Sequence, residues 1–165
     1  MPDGLRPKFV SSRPPIARLP RRAFFWSQRM DVTELLKLHE GFSRTVYRCT
    51  AGRQTIGFGR NLDDVGLSRE EAEWLLKRDI ERAISSLRTE PYWLDLSDVR
   101  QAVLIDMVFN LGWAGFAKFA RLRMALGRKD WDAAANEMRD SAWFKQTGTR
   151  SQRLSVMMRA ELWPA

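Results

Sequence analysis

The sequence predicts an α+β, mostly helical fold in two lobes: a small β-hairpin lobe, a long connecting helix and a larger helical lobe. Three observations carry this. Five of the ten glycines fall between Gly41 and Gly66, among short runs of β-favouring residues. Directly after them, Ser68-Arg69-Glu70-Glu71 opens a long stretch of helical period. Everything beyond Ser97 keeps that period.

Taken in order, residues 1–30 read as a basic, proline-rich N-terminal extension. They hold five of the seven prolines, which remove backbone donors and fix φ, so regular structure is not expected there. They also carry seven of the basic residues against Asp3 alone, so +6 of the chain's net charge of +8 belongs to this segment. The basicity therefore says little about what the folded part binds, and nucleic acid is not an expected partner. Prolines and arginines break any apolar signal-peptide core, and Phe24-Phe25-Trp26 has two functional readings, docking on the domain or dipping into an anionic membrane surface. A disordered arm, or an upstream extension before a natural start at Met30, is the plainer reading.

Residues 31–165 form the folded domain, divided into a small lobe (31–66), a connecting helix (68–88) and a helical lobe (89–165). Asp31 with Glu34 caps a first helix whose apolar stripe is Val32, Leu35 and Leu36, and Gly41 stops it. Glu40 is left at the C-terminus, where the macrodipole disfavours negative charge. A hairpin follows, with strands at 45–49 and 54–59 around a turn at 50–53, then a polar turn region from Asn61 to Gly66. In its period of two, Tyr47 and Cys49 share a face, as do Thr55, Gly57 and Gly59. Glycines at those two positions leave room for a substrate or another backbone to approach closely.

Ala72, Leu75, Leu76, Ile80, Ala83, Ile84 and Leu87 make the expected buried stripe of the connecting helix. Residues 97–111, apolar on nearly all sides, are the central helix of the second lobe. Gly112 and Gly115 flank a turn, and helices over 116–126, 130–139 and 149–161 follow, the last two separated by Ser141 to Gly148. The joint between two such lobes is a natural ligand cleft. No apolar run approaches the ~20 residues of a membrane span. The single cysteine leaves no intramolecular disulfide, in keeping with a reducing cytosol. One histidine and one cysteine make no zinc site, and no phosphate-binding glycine loop occurs. No metal or cofactor is expected.

Glu40, Cys49 and Thr55 are the candidate chemical groups. Singly, each has a plain reading: a surface glutamate ending a helix, a small buried hydrophobe, a favoured strand residue. A carboxylic acid can protonate a leaving oxygen at neutral pH if its pKa is raised, and the helix end gives Glu40 one reason for that. A thiol is mostly protonated at pH 7 unless a positive neighbour lowers its pKa, and Arg48, Arg53 and Arg60 are candidates.

The spacing is more specific. Glu40, eight residues, Cys49, five residues and Thr55, followed by Ile56-Gly57-Phe58-Gly59, resembles the phage-type lysozymes of glycoside hydrolase family 24. His39-Glu40-Gly41-Phe42 before it and Arg60-Asn61-Leu62 after it are similar to that family as well. So are Met107 to Gly112, where Asn110 holds a cleft-lining amide position, and Trp143 to Thr147 followed by Arg150 and Arg153. The resemblance covers about residues 31–163.

It implies a lysozyme-like two-lobed fold and a muramidase cleaving the β-1,4 bond between N-acetylmuramic acid and N-acetylglucosamine of bacterial peptidoglycan. Glu40, Cys49 and Thr55 would be catalytic, with Arg150 paired to Glu40. Asn110, Tyr47, Gln146 and Thr147 would be supporting or substrate-binding. A monomeric endolysin is implied, held in the host cytoplasm before release and then acting on periplasmic peptidoglycan. Many family members have Asp where Cys49 stands, so one of the usual two carboxylates is missing. Either a thiolate does the aspartate's work, or the thiol attacks as nucleophile, or Thr55 and its water carry more of the burden. Asp63 and Asp64 lie in a surface loop beyond the strand. Many members also have His where this chain has Arg60, which is then read as a holder of a carboxylate or acetamido group. A tail-associated or bacteriocin-type muramidase, a polyanion-binding protein acting through residues 1–30, and a binding module without catalysis are the alternatives.

Overall fold

The computed structural model describes residues 31–164, so the expectations for residues 1–30, including Met30 and Phe24-Phe25-Trp26, lie outside the described residues. The chain divides into two compact units, one ending at Gly66 and the other beginning at Leu67. The architecture is α+β and mostly helical, with one small antiparallel sheet.

The first unit holds helix α1 (Val32–Glu40) and strands β1 (Ser43–Arg48), β2 (Gln54–Gly57) and β3 (Arg60–Asn61). Asp31 caps α1 by accepting from the Glu34 amide at 2.9 Å. The Glu34 carboxylate turns instead to Lys37 Nζ at 2.8 Å, so only half of the expected capping box forms. The sheet order is β1-β2-β3, with Tyr47 opposite Thr55 and Thr55 opposite Asn61. Between Ser43 and Tyr47 the register slips, since β1 advances twice as far as β2. A bulge of this kind bends the strand and sharpens its twist. The short third strand replaces the start of the expected polar turn: Arg60 and Asn61 pair back on Ile56 and Thr55 once residues 58–59 turn the chain.

Among its described residues this unit has no buried apolar side chain; only Thr55 is buried. The expected stripe of α1 is correspondingly open, with Val32 69% and Leu36 52% exposed. A helix and three short strands enclose too little volume to bury a core of their own. Local hydrogen bonds hold the unit: Gln54 N donates to Asp63 Oδ2 at 3.0 Å, and Asn61 Oδ1 accepts from the Asp63 and Asp64 amides at 3.0 and 3.1 Å.

The second unit contains α2 (Arg69–Leu87), a 3-10 turn at Trp93–Asp95, α3 (Asp98–Phe116), α4 (Ala120–Gly127), α5 (Trp131–Arg139), α6 (Ala142–Thr147) and α7 (Thr149–Ala160). The Ser68–Glu71 capping box of α2 is complete, with bonds of 3.2 and 2.8 Å. Its buried stripe exists only in the C-terminal half, where Ala83 and Leu87 join the core and Ile84 packs on it; Leu75 and Leu76 are exposed. Helix α3 is the central element, burying Val99, Val103, Leu104, Met107 and Val108. Gly112, at φ 67° and ψ 163°, breaks it in a conformation that side chains resist. Beyond the break the fourth helix begins at Ala120 rather than at residue 116. The expected separator from Ser141 to Gly148 is helix α6: Ser141 Oγ accepts from the Phe144 amide at 3.1 Å, and six residues are too few to show a period in sequence.

Two buried charges tie the helices. Arg100 on α3 donates to Met158 O at 3.0 Å, pairs with Glu161 and stacks on Trp131 at 3.9 Å, complementing the C-terminal carbonyls of α7. Glu90 is buried and accepts a two-pronged bond from Arg123 on α4, at 3.1 and 2.7 Å. Among the described residues no single helix is long and apolar enough to cross a membrane. Arg123→Ala should lower stability by about 3 kcal/mol, because it strands the buried Glu90 carboxylate, while Glu90→Gln should cost less. Urea unfolding of the two variants measures the difference.

Candidate active site

Glu40 is the last residue of α1, and its side chain lies against Gly59, just beyond β2. A Cβ at position 59 would stand 2.5 Å from Glu40 Oε2 and 2.9 Å from its carboxyl carbon. The room expected at Gly59 is thus taken by the glutamate itself; at Gly57 a Cβ would meet no atom within 4 Å. Gly59 also has φ 76°, so one residue serves both the turn and the seat. Phe42 and Phe58, both exposed, make a tilted ring contact with centroids 5.3 Å apart.

Cys49 and Thr55 meet at the β1–β2 turn. Cys49 follows the end of β1, where its amide donates to Arg53 O at 3.0 Å and its carbonyl accepts from Gly52 N at 2.8 Å. The half-buried thiol is held below its ordinary pKa, first by backbone hydrogen bonding from Arg53, then from Ala51, with a further contribution from the Thr55 hydroxyl. The cause differs from the expected one. The side chains of Arg48, Arg53 and Arg60 reach Gly52 O at 2.9 Å, Asp64 at 3.6 Å and Gly66 O at 2.8 Å, so each buttresses a turn. Peptide donors, not guanidinium groups, stabilise the thiolate. Thr55 is only 3% exposed, and its hydroxyl lies 3.2 Å from Arg53 O. Its single proton serves either that carbonyl or the thiolate. Tyr47, paired with Thr55 in register, puts its partly exposed ring on the same face of the sheet. Asp63 accepts from Gln54 N at the start of β2, and Asp64 accepts from Asn61 Nδ2 at 2.7 Å beside its pairing with Arg53.

The remaining candidates lie in the second unit. Asn110, two residues before the Gly112 break, accepts at Oδ1 from the indole N–H of buried Trp143 at 2.8 Å. That bond fixes which way the amide points. Thr147 caps back onto Trp143 O at 2.8 Å, and Gln146 is exposed on the rim of a cavity of about 550 Å³ beside Trp143 and Phe119. Arg150, in the first turn of α7, donates from Nε to Asp106 Oδ1 at 2.7 Å. Asp106 was not singled out in the sequence, although an acidic residue interrupting an apolar helix was a visible signal. Among the described residues no group of three or more His, Cys, Asp or Glu side chains is placed to hold a metal ion.

The phage lysozyme family model matches residues 37–161, which contain all eight candidate residues. This chain belongs to the phage lysozyme family. Its two units are therefore the parts of a lysozyme-like architecture, and the domain is of the glycoside hydrolase type. The chain is 30% identical over 158 aligned residues to the pre-baseplate central spike protein Gp5 of Enterobacteria phage T4, an alignment covering 78% of this chain but only 28% of that protein. It is 28% identical over 154 residues to a probable T4-type lysozyme of Dictyostelium discoideum, covering 75% and 91%. An endolysin of Acyrthosiphon pisum secondary endosymbiont phage 1 is 31% identical over 121 residues, covering 71% and 81%. The chain thus spans about a quarter of the spike protein and most of the other two.

Gly59→Ala should push the Glu40 carboxylate from its seat: a loss of about 1–2 kcal/mol from the positive φ, and at least a roughly tenfold fall in turnover of peptidoglycan from the misplaced group. Urea unfolding and turbidity clearing read the two effects separately. Because its pKa is lowered, Cys49 should become thiolate at lower pH than free cysteine, so the pH midpoint of its iodoacetamide alkylation rate should lie below that of a free cysteine measured alongside.

Proposed function

We propose that this chain is a muramidase that hydrolyses the β-1,4 bond between N-acetylmuramic acid and N-acetylglucosamine of bacterial peptidoglycan, and that it acts as an endolysin in bacterial lysis. The observation that carries the reading is the seating of Glu40 on Gly59, in the same small unit as the Cys49–Thr55 pair. Membership of the phage lysozyme family supports the bond class, and the similarity to a phage endolysin along most of both chains supports the role.

In this reading Glu40 delivers a proton to the leaving glycosidic oxygen. The Cys49 thiolate supplies the second anionic group in the place of a carboxylate, and Thr55 holds the attacking water with its hydroxyl. The peptide donors that lower the thiol's pKa support the ionised form. Tyr47, Asn110, Gln146 and Thr147 position sugar or peptide groups. Arg150 is assigned to the site by the family resemblance. The protein works as a monomer, stays in the host cytoplasm until released to the periplasmic wall, and touches anionic envelope lipids through residues 1–30.

A second reading is favoured by the similarity to the T4 central spike protein: a muramidase carried on the phage tail for delivery. Immunoblotting purified virions separates the two, since a tail-borne enzyme is found in particles and an endolysin only in the lysate. A polyanion-binding role of the basic segment predicts salt-sensitive binding to nucleic acid that is lost when residues 1–29 are deleted, with clearing activity retained.

Glu40→Gln should abolish clearing of purified peptidoglycan, with muramic-acid reducing ends released only by the active protein. In the same assay Cys49→Asp should keep substantial activity and Cys49→Ala should lose most of it. Retained clearing by Glu40→Gln would remove the acid assignment, and full activity of Cys49→Ala would reduce the thiol to packing.

A further inference from the structure

The three arginines of α7 differ in what they meet. Arg150 pairs with Asp106 and Arg159 with Asp132, at 2.7 and 2.8 Å. Arg153, exposed on the same helix, has no acidic partner among the described residues. It borders a groove of about 380 Å³ that lies wholly within the second unit. Two unlike sets of side chains line it. Thr149, Gln152 and Arg153 are polar, whereas Val156, Leu162 and Trp163 are apolar and 61%, 67% and 61% exposed.

The apolar part is held out by the fold. Helix α7 ends at Ala160, and Glu161 follows with φ 59°, a left-handed conformation that side chains resist. Buried Arg100 pairs with the Glu161 carboxylate and donates to Met158 O, so the turn is fixed from the core. Leu162 and Trp163 therefore leave the helix on a set heading and join Val156 in lining the groove. An exposed apolar patch with a polar border marks a place where a partner binds.

The chemistry of the lining narrows the partner. An anionic bilayer is best met by a broad apolar face with several unpaired cations. Here two of the three arginines are already neutralised, and a threonine and a glutamine share the groove. A sugar chain bearing carboxylates fits better. One face of a pyranose ring is made of C–H groups and suits an indole, and its hydroxyls suit Gln152 and Thr149. An unpaired guanidinium matches a carboxylate. Peptidoglycan offers both, because its glycan carries stem peptides with ionised carboxylates.

We propose that the α7 groove is a second, non-hydrolytic binding site for peptidoglycan, with Trp163 packed on a sugar ring and Arg153 paired to a stem-peptide carboxylate. The choice of ligand rests on the muramidase reading, but the site is built from residues that reading does not use.

The test is co-sedimentation of the full chain with purified insoluble peptidoglycan, on ice to hold back hydrolysis, for the parent, Trp163→Ala and Arg153→Ala. Each change should weaken binding roughly tenfold. Both side chains are exposed, so Tm should stay within about 3 °C of the parent. The saturating turnover of a short soluble fragment should be unchanged. Amidating the wall's carboxylates should weaken the parent as much as Arg153→Ala does and leave that variant unaffected, a result that packing alone would not produce. Undiminished wall binding by either variant would overturn the proposal, whether Trp163 then proved to hold phosphatidylglycerol vesicles or a second copy of the chain. So would an Arg153→Ala variant that responds to amidation as strongly as the parent. Hydrolysis is read apart from binding. If the parent releases no muramic-acid reducing ends on warming, the muramidase reading fails, while the bound fractions still decide the groove.

Discussion

Glu40 occupies the volume that any side chain at position 59 would fill, and the geometry of the small unit follows from that exclusion. The glutamate comes from the end of α1 and the glycine from the turn after β2, so the contact fixes helix against hairpin where no apolar core does so. It also explains why a glycine is needed twice over at one position. The turn demands a positive φ, and the carboxylate demands the absence of a Cβ.

The two units divide the work in different physical currencies. The second is held by burial: α3 and its neighbours bury a continuous cluster, with Arg100 and Glu90 made tolerable inside by paired, hydrogen-bonded partners. The first is held by directional bonds, in which the acidic loop from Asn61 to Asp64 and the arginines at 48, 53 and 60 close turns on one another. The same arrangement lowers the pKa of the thiol. A peptide turn tight enough to end β1 presents its N–H groups to Cys49, so the electrostatic environment of the sulfur is a by-product of the hairpin's geometry.

Several side chains took their structural partners from positions distant along the chain. Trp143 and Asn110 are thirty-three residues apart, yet one indole N–H decides which face of the amide remains a donor. Arg150 and Asp106 are forty-four apart, and neither residue type is informative alone. The arginines near Cys49 were proposed as its counter-charges because they are close in sequence. They point elsewhere because the carbonyls of Gly52 and Gly66 and the carboxylate of Asp64 lie within easier reach.

By itself the sequence determined the α+β class, the capped start of α2, the central place of α3 and the Glu40, Cys49 and Thr55 pattern. These depend on local periodicity and spacing, which the chain carries from residue to residue. It could not separate a helical stripe that is covered from one that is open: Leu75 and Leu87 follow the same period, and only packing buries Leu87. It missed α6 and β3, which are too short for a period to show. The seat of Glu40, the backbone origin of the lowered thiol pKa and the hold of Asp106 on Arg150 were decided by tertiary structure alone. Each depends on where a donor or a missing atom lies in space, and spacing along the chain does not encode that.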